Sequence, residues 1–268
     1  MKRFLLDPSA AAGPRYSPVV VPPAAIARRA SCARVLERIR DISCGLAADP
    51  YTRYVADFYE RGLALLGDDW GYMDIVSVLY AVAETGQPQN YLEIGVRRGR
   101  SACAVAAASP ATAIFAFDLW QEGYAGNENP GRELVRSELR KVGHTGELCF
   151  VEGDSHVTVP RFFRERPDLS FDCIAVDGDH SVAGAWDDLR NVVTRLRIGG
   201  VLVFDDTANP YCPGLDRVWA DLLDADRGLA GYSYSGLGTG VSFAVRTGAC
   251  SFRDKSKGFW QRWRQRER

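Results

Sequence analysis

Residues 171–207 constrain the fold more than any other stretch. They read FDCIAVDGDH, then SVAGAWDDLRNVVTRLR, then IGGVLVFDDT. An apolar run ends in acids, an amphipathic stretch follows, and a second apolar run ends in acids again. Short runs rich in Val, Ile and Phe without polar alternation suit strands covered on both faces. The change of period between them predicts strand, helix and strand of a parallel sheet. Asp177 and Asp179 then leave the end of one strand, and Asp205 and Asp206 the end of the next. Both are carboxyl ends, the side on which open α/β sheets bind ligands. Neighbouring strands lie about 4.8 Å apart, so several carboxylates would share one crevice. Like charges that close are partly protonated or neutralised by a cation, and the residues alone point to a metal or a cationic ligand there.

The same alternation runs upstream. Residues 91–101, YLEIGVRRGRS, read as a short strand, a glycine turn from Gly95 to Gly99, and the start of an Ala-rich helix over 101–108. Glycines let the backbone approach a ligand, and a helix N-terminus offers free N–H groups to a carboxylate or phosphate. The turn is neither a GxGxxG fingerprint nor a P-loop, and a plain strand-to-helix turn is the alternative reading. A strand over 113–117 ends in Asp118, where nucleoside-binding sheets hold ribose hydroxyls; a helix cap or a solvated turn acid is the other option. A helix over 132–142 and a strand over 148–151 lead to Glu152-Gly153-Asp154-Ser155. There Asp154 or Ser155 caps the next helix or flanks a bound base. Together these segments predict an α/β chain with a doubly wound, Rossmann-like sheet. Beyond it a loop over 209–214, a helix over 215–223 and a closing pair of strands at 231–235 and 240–246 are expected.

Before the sheet, 1–23 reads as an irregular Pro-, Ala- and Val-rich arm, followed by helices over 24–42, 51–66 and 72–83. Tyr51, Tyr54, Phe58, Tyr59, Trp70, Tyr72 and Tyr80 crowd this stretch, either as helix core or as a cap that stacks on a substrate. The expected organisation is thus 1–89 as N-terminal arm and helical extension (substrate cap or oligomer contact), 90–248 as the main domain, and 249–268 as a basic tail. The tail carries Phe259, Trp260 and Trp263 and reads as a frayed end or an oligomer contact. A net charge of −1 gives no bulk attraction to nucleic acid. Seven cysteines without a CxxC pair argue against a disulfide framework or zinc site, and with no signal-peptide core or membrane-length apolar run a reducing cytoplasm is the expected compartment.

Taken in order, the turn ExGxxxGxS at 93–101, Asp118, GDS at 153–155, and DGDHS followed by GGVLVFDD resemble class I S-adenosylmethionine-dependent methyltransferases over roughly residues 90–246. DGDHS with a downstream DD looks most like the metal-dependent branch that O-methylates sugars on macrolides, aminocoumarins and related natural products. The resemblance implies an S-adenosyl-L-methionine site at Glu93, Gly95, Gly99, Ser101, Asp118, Asp154, Ser155 and Asp177. It implies Mg²⁺ (or Mn²⁺) on Asp177, Asp205 and Asp206, with His180 or Asp177 as the base. The expected acceptor is a small molecule that contains a sugar. Three rivals remain at this point: a metal-independent methyltransferase of the same fold, an aminopropyltransferase, and a non-catalytic binding protein. The last would be expected to lose either the glycine turn or the acids, and this chain keeps both.

Overall fold

The computed structural model describes residues 19–121, 123 and 130–253; the arm over 1–18 and the tail over 254–268 lie outside the described residues. Seven strands form one sheet: β1 (Asn90–Ile94), β2 (Ala113–Asp118), β3 (Leu148–Glu152), β4 (Phe171–Val176), β5 (Leu196–Asp205), β6 (Leu229–Tyr234) and β7 (Val241–Arg246). Their spatial order is β3-β2-β1-β4-β5-β7-β6. The first five are parallel, and β7 inserts antiparallel between β5 and β6. Alternate residues go to opposite sides: Tyr91, Cys173, Ala175, Val201 and Val203 join one core, and Leu92, Ile174, Val176, Leu202 and Phe204 the other. Burial on both faces is why these strands read as unbroken apolar runs.

Helices α4 (Ile75–Gly86), α5 (Arg100–Ala108) and α6 (Arg132–Lys141) cover the first face, and α7 (Ser155–Glu165), α8 (Val182–Val193) and α9 (Leu215–Ala225) the second. The register puts Ile94 opposite Val176 and Val176 opposite Phe204. Gly95, Asp177 and Asp205, each the next residue or the last of its strand, therefore emerge side by side. Helix α8 ends at Val193, earlier than the amphipathic pattern to 197 suggests. Leu196 is already paired with Phe171, across a register shift between Phe171 and Cys173.

The N-terminal extension also departs from expectation. The helix anticipated over 24–42 is two, α1 (Pro23–Ala30) and α2 (Ala33–Gly45), separated at Ser31 and Cys32. The Ala33 N–H, orphaned at the start of α2, donates to Asp68 Oδ1 at 2.9 Å, a cap supplied from 35 residues downstream. Helix α3 (Pro50–Leu66) starts with a capping box between Asp49 and Thr52, with Pro50 in the first turn. A 3-10 turn (Gly67–Trp70) follows. Helix α4 begins at Ile75 rather than 72, because Asp74 and Ser77 form a second capping box.

The aromatic crowd is mostly core. Trp70 stacks on Tyr72 at 4.8 Å, Phe58 meets both, and Tyr72 packs edge-on against Tyr234 of β6 at 6.2 Å, joining the extension to the sheet. Asp74 also accepts from the hydroxyls of Tyr59 at 2.7 Å and Tyr72 at 3.2 Å. Asp74→Ala removes a cap and strands a buried tyrosine hydroxyl, so it should lower stability by about 2–4 kcal/mol in urea unfolding. Asp74→Asn should lose less, since a side-chain oxygen remains to accept.

Candidate active site

A cavity of about 810 Å³ opens at the carboxyl ends of β1, β2, β4 and β5, with the α2–α3 loop over it. Its floor is the glycine turn. Gly95 leaves β1 with φ of +85°, and a Cβ there would lie 1.9 Å from the Asp177 carbonyl oxygen. Only glycine tolerates both the conformation and the approach. Asp118 tethers the turn: Oδ2 accepts from the N–H groups of Val96 at 2.8 Å and Arg97 at 2.6 Å, and Oδ1 from Trp120 at 2.6 Å. Arg97, Trp120 and Asp206 hold positive φ angles of 47°, 40° and 60°. Such strained backbone concentrates where a site demands it. Asp154 is the cap of α7, its Oδ1 accepting from the His156 N–H at 2.9 Å.

Behind the turn stands Glu93, fully buried. It accepts from the Ser101 hydroxyl, and its Oε2 has no partner among the described residues. Burial pushes its carboxyl up to about 8, so at neutral pH it is mainly protonated.

The acids gather opposite. His180 Nε2 lies 3.1 Å from Asp177 Oδ1 and 3.4 Å from Asp206 Oδ2. Burial holds the Asp177 carboxyl above the ordinary range despite His180, and the hydrogen bond to Asp177 raises His180. Asp205 is pushed well up, first by burial and then by the charges of Asp177 and Asp206. One imidazole thus contacts two carboxylates, Asp177 and Asp206. Among the described residues, the group whose ligand atoms all lie within 4.8 Å of one another is His180, Asp206 and Cys212, rather than the three aspartates together. Cys212 arrives because successive turns, Asn209 N–H to Asp206 O and Cys212 N–H to Asn209 O, fold the chain back on itself.

The extension closes the other side. Asp49 Oδ2 lies 3.4 Å from Arg98 Nε and 3.7 Å from Arg97 Nη2, and Arg98 Nη2 donates to the Ala47 carbonyl at 3.1 Å. Arg97 and Arg100 sit 5.5 Å and 5.4 Å from the centre of the Tyr51 ring.

Residues 92–207 match a protein family described as a methyltransferase domain. This segment is a methyltransferase domain. No curated protein matches the sequence. Among solved structures, an S-adenosylhomocysteine-bound methyltransferase of Podospora anserina aligns with a TM-score of 0.52 at 17% identity, over 80% of this chain and 88% of that one. An O-methyltransferase of Bacillus cereus in complex with S-adenosylhomocysteine gives 0.51 at 15% identity, over 79% and 90%. An O-methyltransferase of Streptomyces achromogenes involved in tomaymycin synthesis, in complex with S-adenosylmethionine, gives 0.51 at 20%, over 80% and 90%. At these identities the likeness is one of fold.

Of the residues singled out in the sequence, the methyltransferase brings Gly95, Ser101, Asp118, Asp154, Ser155, Asp177, His180, Asp205 and Asp206 to the cavity wall; Glu93 and Gly99 stand behind it. Sequence reasoning missed Asp49, Arg100 and Cys212, and left Tyr51 undecided between helix core and substrate cap. Arg97 and Arg98 inside the glycine turn, with Arg100 just after it, were the available signal for Asp49 and Arg100.

The Glu93 carboxyl carries a pH consequence. Its folded value of about 8 lies above the unfolded value of 4.5. Between these limits the unfolded chain binds fewer protons than the folded one, so its contribution to stability falls as pH rises. Glu93→Gln should therefore lose less stability than the wild type between pH 5 and pH 8. Equal losses in urea unfolding would place the proton elsewhere.

Proposed function

We propose that the chain methylates a hydroxyl oxygen of a sugar or glycosylated small molecule, with S-adenosylmethionine as donor and a divalent cation on its acids. The observation that carries this reading is the convergence of Asp177, Asp205, Asp206 and His180 on a cavity that starts at the glycine turn. Two carboxylates, Asp177 and Asp205, pushed above their usual range by burial and by neighbouring acids, fit a site for a cation. Carboxylate oxygens suit Mg²⁺ or Mn²⁺, and Asp177, Asp205 and Asp206 would hold it. The cation would supply Lewis acidity, making the bound hydroxyl easier to deprotonate.

Asp118, at the end of β2 on the cavity wall, would take the ribose hydroxyls. Asp154 and Ser155 would flank the adenine, and Gly95, Gly99 and Ser101 the amino-acid end, with Glu93 orienting Ser101 from behind. Asp177 ends β4 against Gly95 and so stands between donor and acceptor. His180 is placed to accept the hydroxyl proton, while the α2–α3 loop and Tyr51 screen the reacting atoms from water. Seven free thiols fit a cytoplasmic home, and no described helix is long and apolar enough to cross a membrane.

One observation favours a second reading. His180 already contacts both Asp177 and Asp206, as a metal-independent enzyme using the acids only for electrostatics would need. Chelation separates the two. On the favoured reading EDTA abolishes transfer of a labelled methyl group and Mg²⁺ or Mn²⁺ restores it; full turnover by metal-free protein establishes the second. Asp177→Asn should lose most turnover yet bind S-adenosylmethionine. His180→Ala should lower kcat by roughly 10²–10⁴, the span of a general base. A silent His180→Ala beside a dead Asp177→Asn would make Asp177 the base. Asp118→Ala should weaken cofactor binding by about 1.5–3 kcal/mol in calorimetry, and unchanged affinity would remove it from the site.

A further inference from the structure

Arg100 opens α5 immediately after the glycine turn and lines the cavity. Its neighbours in the turn are engaged: Arg97 and Arg98 both reach Asp49. Arg100 makes no ion pair among the described residues, and its enclosed Nη1 has no hydrogen-bond partner. Asp74, the acid of the extension that acts on Arg100 electrostatically, is also engaged by two tyrosine hydroxyls and the Ser77 N–H. What holds Arg100 is the Tyr51 ring, 5.4 Å from its guanidinium carbon, within the range of a cation–π contact. Tyr51 is itself 50% exposed, on the cavity wall.

A guanidinium nitrogen shut off from water without a partner is costly. An arginine on a cavity wall without an ion-pair partner suits a planar or tetrahedral oxyanion, which a guanidinium binds with paired N–H donors. Arg100 stands where the two halves of the cavity meet, between Gly99 and Ser101 of the turn and facing the acids. Tyr51 and Arg100 interact electrostatically with Asp177, and Tyr51 also with Asp205, at the ends of β4 and β5. Asp118 and Asp154 follow β2 and β3, on the other side of β1. On the reading given under Proposed function, we infer that Arg100, braced by Tyr51, binds a carboxylate or phosphate of the acceptor, so that the enzyme selects acidic over neutral glycosides.

The test uses the full chain saturated with S-adenosylhomocysteine and Mg²⁺, titrated calorimetrically with glucose, glucuronate and glucose 1-phosphate. At least one anion should bind about 10- to 100-fold more tightly than glucose, the effect of a charged hydrogen bond. Arg100→Gln should abolish that preference and Arg100→Lys retain part of it, while affinity for S-adenosylhomocysteine stays the same in all three proteins. The inference is overturned if neither anion binds saturably, or if the preference survives in Arg100→Gln. It is also overturned if Arg100→Gln loses affinity for S-adenosylhomocysteine about tenfold, which would assign the arginine to the cofactor's own carboxylate. A wild-type chain that binds no S-adenosylhomocysteine would instead refute the methyl-transfer reading on which the inference rests.

Discussion

At Gly95 the chain turns out of β1 so close to β4 that a single Cβ would lie 1.9 Å from the Asp177 carbonyl oxygen. That contact couples the two halves of the site. The Asp177 N–H donates to the Ile94 carbonyl at 2.8 Å, and the Gly95 N–H to the Phe117 carbonyl at 2.9 Å, so the strand ladders run on into the turn itself. The turn that would cradle the donor and the first acid that would serve the acceptor are thus one backbone unit. Asp118 extends the coupling to β2 by accepting from Val96 and Arg97. A shift of β1 relative to β4 would misalign the donor and acceptor sites, and methyl transfer, which depends on in-line placement, benefits from the contact that resists it.

Charge around the cavity is distributed by the same logic. The parallel register delivers Asp177 and Asp205 to adjacent strand ends, and the strained backbone at Asp206 turns a third acid back beside His180. Across the cavity Asp49 clamps Arg97 and Arg98 and so ties the α2–α3 loop to the glycine turn. Helix α6 reinforces the loop through Glu138, which accepts from the Ala47 N–H at 2.6 Å. A positive wall therefore faces a negative one, with Arg100 the part of the positive wall that has no ion pair among the described residues.

The parallel strands β1, β2, β4 and β5 are legible in the sequence because both faces of each are buried, leaving short apolar runs that stop at a glycine or at acids, and the half-buried edge strand β3 is legible as the next step of the same alternation. Gly95, Asp118, Asp154, Asp177 and Asp205 are legible for the same reason, since each closes or follows a strand. Features made by distant contacts are not. The break after α1 depends on Asp68 capping Ala33; nothing near Ser31 and Cys32 announces it. Tyr51 belongs to an aromatic crowd of which Tyr59 and Tyr72 are core and Tyr54 is exposed, and only its place beside Arg97 and Arg100 sets it apart. Cys212 meets His180 through two turns of an irregular loop, where periodicity carries no information. The positions of β7 between β5 and β6, and of Glu93 behind the cavity rather than on its wall, are likewise products of tertiary packing.

The central claim is that the cavity beside Gly95 holds S-adenosylmethionine within reach of the acids. Isothermal titration of the full chain with S-adenosylmethionine tests it most directly. The account predicts one saturable site per chain that S-adenosylhomocysteine fills competitively. Heat indistinguishable from dilution, in a chain shown by its unfolding transition to be folded, would contradict it.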